Sequence, residues 1–288
     1  MPSNNISRLS VVVINWNTAD ITCQCLKSIH QHLPVVEIVV VDNASTDDSV
    51  IKIRKLINSF QPKADPPMAE KISNFKLKIN PSNLGYSKAC NAGAKLAKGD
   101  YLLFLNSDIE LIDDSIVLML NFLKNNPPIG AIGPKFLNLD KSPQASVFPD
   151  QSILNAIKEF WLKFPSFQKY LPSGQNPVDV FAVSGGAILM PRSAFQKVCT
   201  WNENYFFYYE DLDLCRSLHR LGFRVVFFPA ACLVHHHGAS GKNLTDSSNQ
   251  WRRLIRSSLI YHGFLKHYII NLIIWSGQKF EKILDVFS

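Results

Sequence analysis

The chain has 288 residues, 47% hydrophobic and 18% charged, with 30 Lys and Arg against 23 Asp and Glu for a formal charge of +7. An apolar fraction typical of soluble domains, with 13 Gly and 16 Pro, excludes collagenous, low-complexity and wholly disordered chains. At this length roughly three quarters of the surface is buried on folding, so one large α/β domain with an appendage is expected rather than two equal domains.

Leu9 to Ile14 is a short apolar run that reads as a first strand, and Asp20 precedes Ile21, Cys25, Leu26, Ile29 and Leu33 at helical spacing until Pro34 stops them. Val35 to Val41 is β-branched without polar alternation, as in a parallel strand buried on both faces. A helix is expected over Ser49 to Phe60, a Pro-rich loop over 61 to 73 and a strand over Phe75 to Ile79. Tyr86 to Lys98 reads as a helix whose small side, Ala89, Ala92, Gly93 and Ala97, permits close packing on a sheet, with Gly99 as its C-cap. Tyr101 to Asn106 is the fourth strand. This alternation predicts a doubly wound, mostly parallel sheet flanked by helices.

In such sheets ligands bind beyond the carboxyl ends of the strands. Polar residues stand at those points: Asn15 and Asn17, Asp42 and Asn43, Asn80 and Asn83, Asn106 and Asp108. No GxGxxG follows the first strand and no P-loop motif occurs, so the site is neither a dinucleotide site nor a P-loop. The second half is less regular. Residues 152 to 171 form an aromatic and basic helical stretch interrupted by Pro165, suited to a lid or an acceptor-facing element. Val178 to Met190 is apolar around Ser184, Gly185 and Gly186, and Phe223 to Phe228 is a strand.

Six cysteines, at 23, 25, 90, 199, 215 and 232, form no CxxC pair and suit reduced core cysteines of a cytosolic protein. No signal peptide is expected, because no apolar run precedes the first strand. Leu259 to Trp275 is broken by His262, Lys266, His267 and Asn271, so no membrane span is expected either. Residues 242 to 288 carry seven basic and three acidic groups, leaving +3 for the other 241 residues.

Three constellations carry chemistry. Asp108 follows an apolar strand in LNSDIEL, where one carboxylate either holds a hard cation shared with substrate phosphates or caps the helix starting near Asp113. Glu210 and Asp211 open a short helix whose stripe is Leu212, Cys215, Leu218 and Leu221, with Gly222 ending it. There the macrodipole favours ionised Asp211 by ~0.3–1 kcal/mol. Adjacent side chains diverge, so the pair cannot flank one bond as a glycosidase's carboxylates do, yet one of them can serve as a base; an acidic helix start is the plainer reading. His235, His236 and His237 serve a metal, bind phosphate, or amount to one buried histidine with two solvated neighbours.

The motifs VVVINWN, IVVVDNASTDDS, NPSNLGYSKACNAGAKLAKGDYLLFLNSD, VSGGAILMPRSAF, NENYFFYYEDLDLCRSLHRLGFRVVFFP and LVHHHGASG occur in this order. Over about residues 9 to 241 the chain resembles an inverting family 2 glycosyltransferase of the GT-A fold, in the rhamnosyltransferase-like bacterial branch. The resemblance implies a catalytic domain over 1–241, with a nucleotide-sugar half near 9–110 and an acceptor half near 111–241, and a basic helical appendage over 242–288. It implies donor binding by Asn17, Asp42, Asn83, Gly85, Lys88, Asn91, Asn106, Gly185 and Gly186, with Asp42 on the base or ribose. Asp108 is the implied ligand of Mn²⁺ or Mg²⁺, His235 (or else His237) contacts metal or diphosphate, and Asp211 is the general base with Glu210 supporting it. Two positions depart from the family pattern: Asn106 opens the DxD-like motif, and Asn202 stands where an Asp is usual.

The implied reaction moves a sugar from a nucleoside-diphosphate sugar, dTDP-rhamnose or a UDP-hexose, to a hydroxyl of a glycan or lipid-linked acceptor, with inversion, in cell-surface polysaccharide synthesis. A sugar-1-phosphate nucleotidyltransferase would open with a Gly-rich basic phosphate loop, which VVVINWN lacks. A dead binding module would have lost Asp108 or Asp211. A nucleic-acid partner is not expected, since no recognition signature surrounds the charge. Arg252, Arg253, Arg256 and Lys266 beside Leu254, Ile255, Leu259, Phe264 and Ile269 read either as a basic interfacial helix on an anionic membrane or as a helix packed on the catalytic domain. The expected location is cytoplasmic, with peripheral contact at the inner membrane.

Overall fold

The computed structural model describes residues 8–60, 74–236 and 247–287. In chain order the first half runs β1 (Leu9–Asn15), α1 (Ala19–His32), β2 (Glu37–Asp42), α2 (Ser49–Ser59), β3 (Phe75–Ile79), α3 (Tyr86–Leu96), β4 (Tyr101–Asn106), β5 (Ile109–Leu111) and α4 (Ser115–Asn125). The second half continues with β6 (Ile129–Leu137), β7 (Pro143–Gln144), β8 (Val147–Phe148), α5 (Ile153–Phe160), β9 (Val178–Asp179), β10 (Ala182–Val183), β11 (Ala187–Pro191), α6 (Arg192–Lys197), α7 (Glu210–Arg220) and β12 (Arg224–His235). Two helices close the chain, α8 (Ser247–His262) and α9 (Phe264–Phe287).

The main sheet has the order β3-β2-β1-β4-β11-β6-β12-β5. Its first four strands are parallel, β11 enters antiparallel between β4 and β6, β12 runs parallel to β6, and β5 closes the edge antiparallel. The sheet is therefore parallel over β3, β2, β1 and β4 and mixed over the rest. All seven residues of β1 are buried, as a strand covered on both faces requires. Its alternation divides them: Val12 and Ile14 join α3 and α7 in one apolar layer, and Leu9, Val11 and Val13 join α1, α2 and α4 in the other. The small side of α3 does pack closely, since a Cβ on Gly93 would lie 2.4 Å from Val12 Cγ1.

Several elements differ from expectation. Helix α3 ends at Leu96 and is capped by extended Ala97, and the Gly99 N–H instead donates to Ser10 Oγ at 2.8 Å. Asp108 caps no helix; α4 starts at Ser115, whose N–H donates to Asp113 Oδ1. Helix α5 stops at Phe160, well before Pro165, and Glu159 Oε2 accepts the backbone N–H groups of Ser166, Phe167 and Gln168, turning the chain into a loop. Strand β12 continues through Pro229 by a register shift between Phe228 and Cys232, so His235 ends the strand instead of following it in a loop. In α7, Leu212, Cys215 and Leu218 are buried, whereas Leu221 is exposed.

The C-terminal helices pack on the body of the fold. Tyr261 of α8 is buried, its carbonyl accepts from Arg216 Nη1 at 2.9 Å, and Ser257 Oγ donates to the Phe207 carbonyl at 2.8 Å. Arg253 lies over the Phe206 ring, so for α8 the packed-helix alternative holds. All six cysteines are free, Cys25, Cys90 and Cys215 being buried and Cys199 exposed.

Candidate active site

The carboxyl ends of β1, β2 and β4 open on one cavity, lined by Ile14, Trp16, Asn43, Asn83, Gly85, Tyr86, Asn106, Ser107, Phe206 and Phe207. Asn43 and Asn83 present amides in it, Nδ2 of Asn43 donating to Asn83 Oδ1 at 2.8 Å. Trp16, Phe206 and Phe207 give it flat apolar walls, the mixture that small-molecule sites combine. Gly85 has φ +84°, and a Cβ there would lie 2.6 Å from the Phe206 carbonyl, which itself accepts the Tyr86 N–H at 2.7 Å. Only glycine lets these two walls meet.

The expected donor residues divide into two groups. Asn83, Gly85 and Asn106 line the cavity. Asp42 does not: it is wholly buried, and its carboxylate accepts from Asn15 Nδ2 at 2.6 Å and from the Ser45 hydroxyl and N–H at 2.6 and 3.0 Å. Asn43, one residue past the strand end, occupies the place expected for Asp42. Asn15 extends this buried network to Thr18 and Thr22 at 2.9 and 2.6 Å, and Thr18 reaches Ser107 at 3.1 Å. Asn17 accepts the Thr46 N–H at 2.7 Å and shapes the neighbouring loop. Lys88 is on the exposed side of α3, outside the cavity. Asn91 is buried and ties α3 to the loop before α7 through Trp201 and Glu203.

Asn202, the second departure from the family pattern, donates from Nδ2 to Asp213 Oδ2 at 3.1 Å. An aspartate there would face the Asp213 carboxylate, and the amide avoids that repulsion.

The two expected cation ligands come together. Asp108, 1% exposed in the turn between β4 and β5, lies with Oδ1 3.6 Å from His235 Nε2. Gln144 Nε2 donates to the His235 carbonyl at 2.8 Å and to Asn138 Oδ1 at 2.7 Å, leaving its Oε1 to take the His235 Nδ1 proton at 2.9 Å. In that tautomer Nε2 turns a lone pair toward the carboxylate. Two acceptors at this separation suit one cation with ligand distances of ~2.0–2.2 Å, so the pair fits Mn²⁺ or Mg²⁺ whose other ligands are phosphate and water. No group of three His, Cys, Asp or Glu side chains that could hold a metal occurs among the described residues. His236 pairs with Glu110 at 3.0 Å, and His237 lies outside the described residues.

The acidic pair opens α7 directly after Tyr208 and Tyr209, whose φ angles of 73° and 69° concentrate backbone strain beside it. Asp211 Oδ2 accepts the Gly185 N–H at 2.9 Å and Oδ1 the Leu212 N–H at 2.9 Å. Gly186, the next residue, accepts the Asn106 N–H at 2.9 Å, and the Tyr86 hydroxyl donates to the Gly185 carbonyl at 2.8 Å. The Gly185-Gly186 pair thus fastens Asp211 to the end of β4, where the Asn106-Ser107-Asp108 turn begins. Burial and the Asp211 charge push Glu210 up to about 8. Burial also raises Asp211 against the opposing pull of the Gly185 N–H and of Lys169, so desolvation outweighs the helix terminus. Lys169, 3.3 Å from Ser184 Oγ, is a site residue that sequence reasoning missed, as are Trp16, Phe206 and Phe207.

The Glycosyl transferase family 2 model matches residues 10–199, and the Glycosyl transferase family group 2 model matches 156–283. The chain belongs to glycosyltransferase family 2. This transferase is 28% identical over 227 residues to an N-acetylglucosaminyl-diphospho-decaprenol L-rhamnosyltransferase of Mycobacterium tuberculosis, covering 71% of this chain and 68% of that one. It is 25% identical over 192 residues to the Rhamnosyltransferase WbbL of Escherichia coli, covering 66% and 69%. A crystal structure of GalNAc-T7 with UDP, GalNAc and Mn²⁺ superposes with a TM-score of 0.65 at 16% identity, over 81% of this chain. The transferase spans 44% of that chain and shares its GT-A architecture.

Proposed function

We propose that the chain transfers a sugar from a nucleoside-diphosphate sugar to a hydroxyl of a glycan or lipid-linked acceptor, with inversion, in cell-surface polysaccharide synthesis. The observation that supports this is the chain of contacts from the Asp211 carboxylate through Gly185 and Gly186 to Asn106, which opens the turn carrying Asp108, itself 3.6 Å from His235. The relatives that are rhamnosyltransferases favour dTDP-rhamnose, and a UDP-hexose suits the same cavity. Asn83 offers its Nδ2 donor to a base, while Asn43, whose amide is engaged by Asn83, Gly85, Asn80 and Leu84, holds that wall in place, with Trp16, Phe206 and Phe207 against the ring.

Asp211 takes the proton of the acceptor hydroxyl as its oxygen bonds to the anomeric carbon, while the bond from that carbon to the diphosphate oxygen breaks on the opposite face. Attack and departure on opposite faces invert the configuration. Lys169 opposes the burial that raises the proton affinity of Asp211, and a raised affinity suits a base. Asp108 and His235 would hold the divalent cation, with Gln144 fixing the imidazole. Bound there, the cation neutralises charge on the departing diphosphate.

Thermal-shift screening of nucleotide sugars with and without Mn²⁺ identifies the donor, since a ligand at ~100 Kd stabilises by ~2.7 kcal/mol. With that donor, Asp211→Asn should lower single-turnover transfer by ~10²–10⁴-fold while donor affinity stays unchanged. NMR of the wild-type product should show the inverted anomer. Transfer by Asp211→Asn near the wild-type rate, or a retained anomer, refutes the mechanism.

A further inference from the structure

Helix α9 is apolar on two opposite sides, and among the described residues only one of them is covered. Ile270, Ile273, Ile274 and Gly277, spaced i, i+3, i+4 and i+7, pack toward α5, where Ala156, Phe160 and Phe167 receive them. At about 100° per residue, Leu265, Tyr268, Leu272 and Trp275 fall on the far side of the cylinder. They are 72%, 52%, 62% and 58% exposed, and Phe264 beside them is 74% exposed. A helix that is hydrophobic all round is ordinarily buried all round. No helix among the described residues is long and apolar enough to cross a membrane.

The charge around the stripe selects the surface. Between residues 247 and 282 the basic residues are Arg252, Arg253, Arg256, Lys266, Lys279 and Lys282, against the single acidic residue Glu281. Glu281 is engaged by Lys163 at 2.9 Å. Arg252, Arg256, Lys279 and Lys282 are exposed. A second copy of the chain would bring the same positive rim against itself, whereas an anionic lipid surface neutralises it. The residue types agree: Tyr and Trp concentrate at the boundary between acyl chains and headgroups.

We propose that the outer face of α9 inserts into the headgroup boundary of an anionic bilayer, with Phe264, Leu265, Tyr268, Leu272 and Trp275 against the acyl chains and Lys279 and Lys282 on lipid phosphates. This goes beyond the transfer reaction and stands independently of it. It also differs from an electrostatic anchor on α8, because that helix is engaged with the catalytic domain and the inserting groups are apolar.

The test is co-sedimentation of the full chain with vesicles of phosphatidylcholine containing phosphatidylglycerol, against phosphatidylcholine alone. Wild type should partition onto the anionic vesicles, with a residue of binding that survives high salt. The double variant Leu265→Glu, Leu272→Glu should lose on the order of tenfold in partition with its thermal unfolding unchanged. Lys279→Gln with Lys282→Gln should reduce binding and flatten its salt dependence. Tryptophan emission of wild type should shift to the blue on vesicle addition, and Trp275→Phe should lose that shift. Three results would overturn the proposal: wild type staying in the supernatant, the double Glu variant binding as wild type does, or bound wild type showing no blue shift. A concentration-dependent dimer of wild type in vesicle-free ultracentrifugation, abolished by the Glu pair, overturns it too, in favour of a second copy on this face.

Discussion

The acidic pair shows what a neighbouring charge and a buried site do to one carboxyl group. Glu210, 7% exposed, is raised to about 8 by burial first and by Asp211 second. A carboxyl whose folded pKa lies above its unfolded value contributes stability below the unfolded pKa, and that contribution is lost as pH rises through the folded one. The window therefore runs from about 4.5 to about 8. Glu210→Gln cannot acquire the buried charge, so its melting temperature relative to wild type should rise steadily across that window, as read by scanning fluorimetry in matched buffers. A constant difference from pH 4.5 to pH 8 would contradict it. The pair was legible in the sequence as an acidic helix start, but the direction of its shift was not, because desolvation depends on the Gly185 and Lys169 loops that fold over it.

Among elements, the parallel half was the most readable, because strands buried on both faces write unbroken β-branched runs and the helices between them write a 3.6-residue period. Those signals fix which strand ends meet, and they placed Asn83 and Asn106 at the cavity, with Asp108 two residues past the end of β4. They do not fix which of two adjacent residues turns into it. Asp42 and Asn43 differ by one step at the end of β2, and the network of Asn15 and Ser45 decides between them. The walls from the second half were harder to read, since Phe206 and Phe207 sit in a loop with no period and are held by a contact to Gly85 more than 100 positions away. That contact carries a prediction. Gly85→Ala would place a methyl group 2.6 Å from the Phe206 carbonyl and hold alanine at a positive φ with extended ψ, a region essentially reserved for glycine, which alone costs roughly 1–3 kcal/mol. The variant should melt about 5 °C lower and bind its nucleotide sugar more weakly, because both walls of the cavity shift. Unchanged calorimetric affinity would show that the Gly85–Phe206 contact does not shape the cavity.

At the scale of the whole molecule, the C-terminal helices are a structural support of the site as well as a surface. Their mix of basic and apolar residues left packing and a surface role equally open in the sequence, because Tyr261, Ser257 and Ile270, the residues that are buried, are unremarkable in the chain. Arg216 lies 3.8 Å from the centre of the Tyr261 ring and donates to its carbonyl, tying α7 to α8 five residues after Asp211. Ser257 and Arg253 brace Phe207 and Phe206 from behind the cavity. A chain ending at residue 241 therefore loses more than an address. Uncovering the partners of Tyr261 and Ile270 forfeits ~1.5–3 kcal/mol for each side chain, which corresponds to a melting temperature lower by roughly 10 °C. Its affinity for the nucleotide sugar should fall as well, even in vesicle-free solution where a surface anchor has nothing to bind. The outer-face variants of α9 separate the two roles, since they should keep full nucleotide affinity and lose only the vesicles. Calorimetry on the three proteins decides the matter: equal affinity in full-length and shortened chains would mean that α8 does not support the cavity.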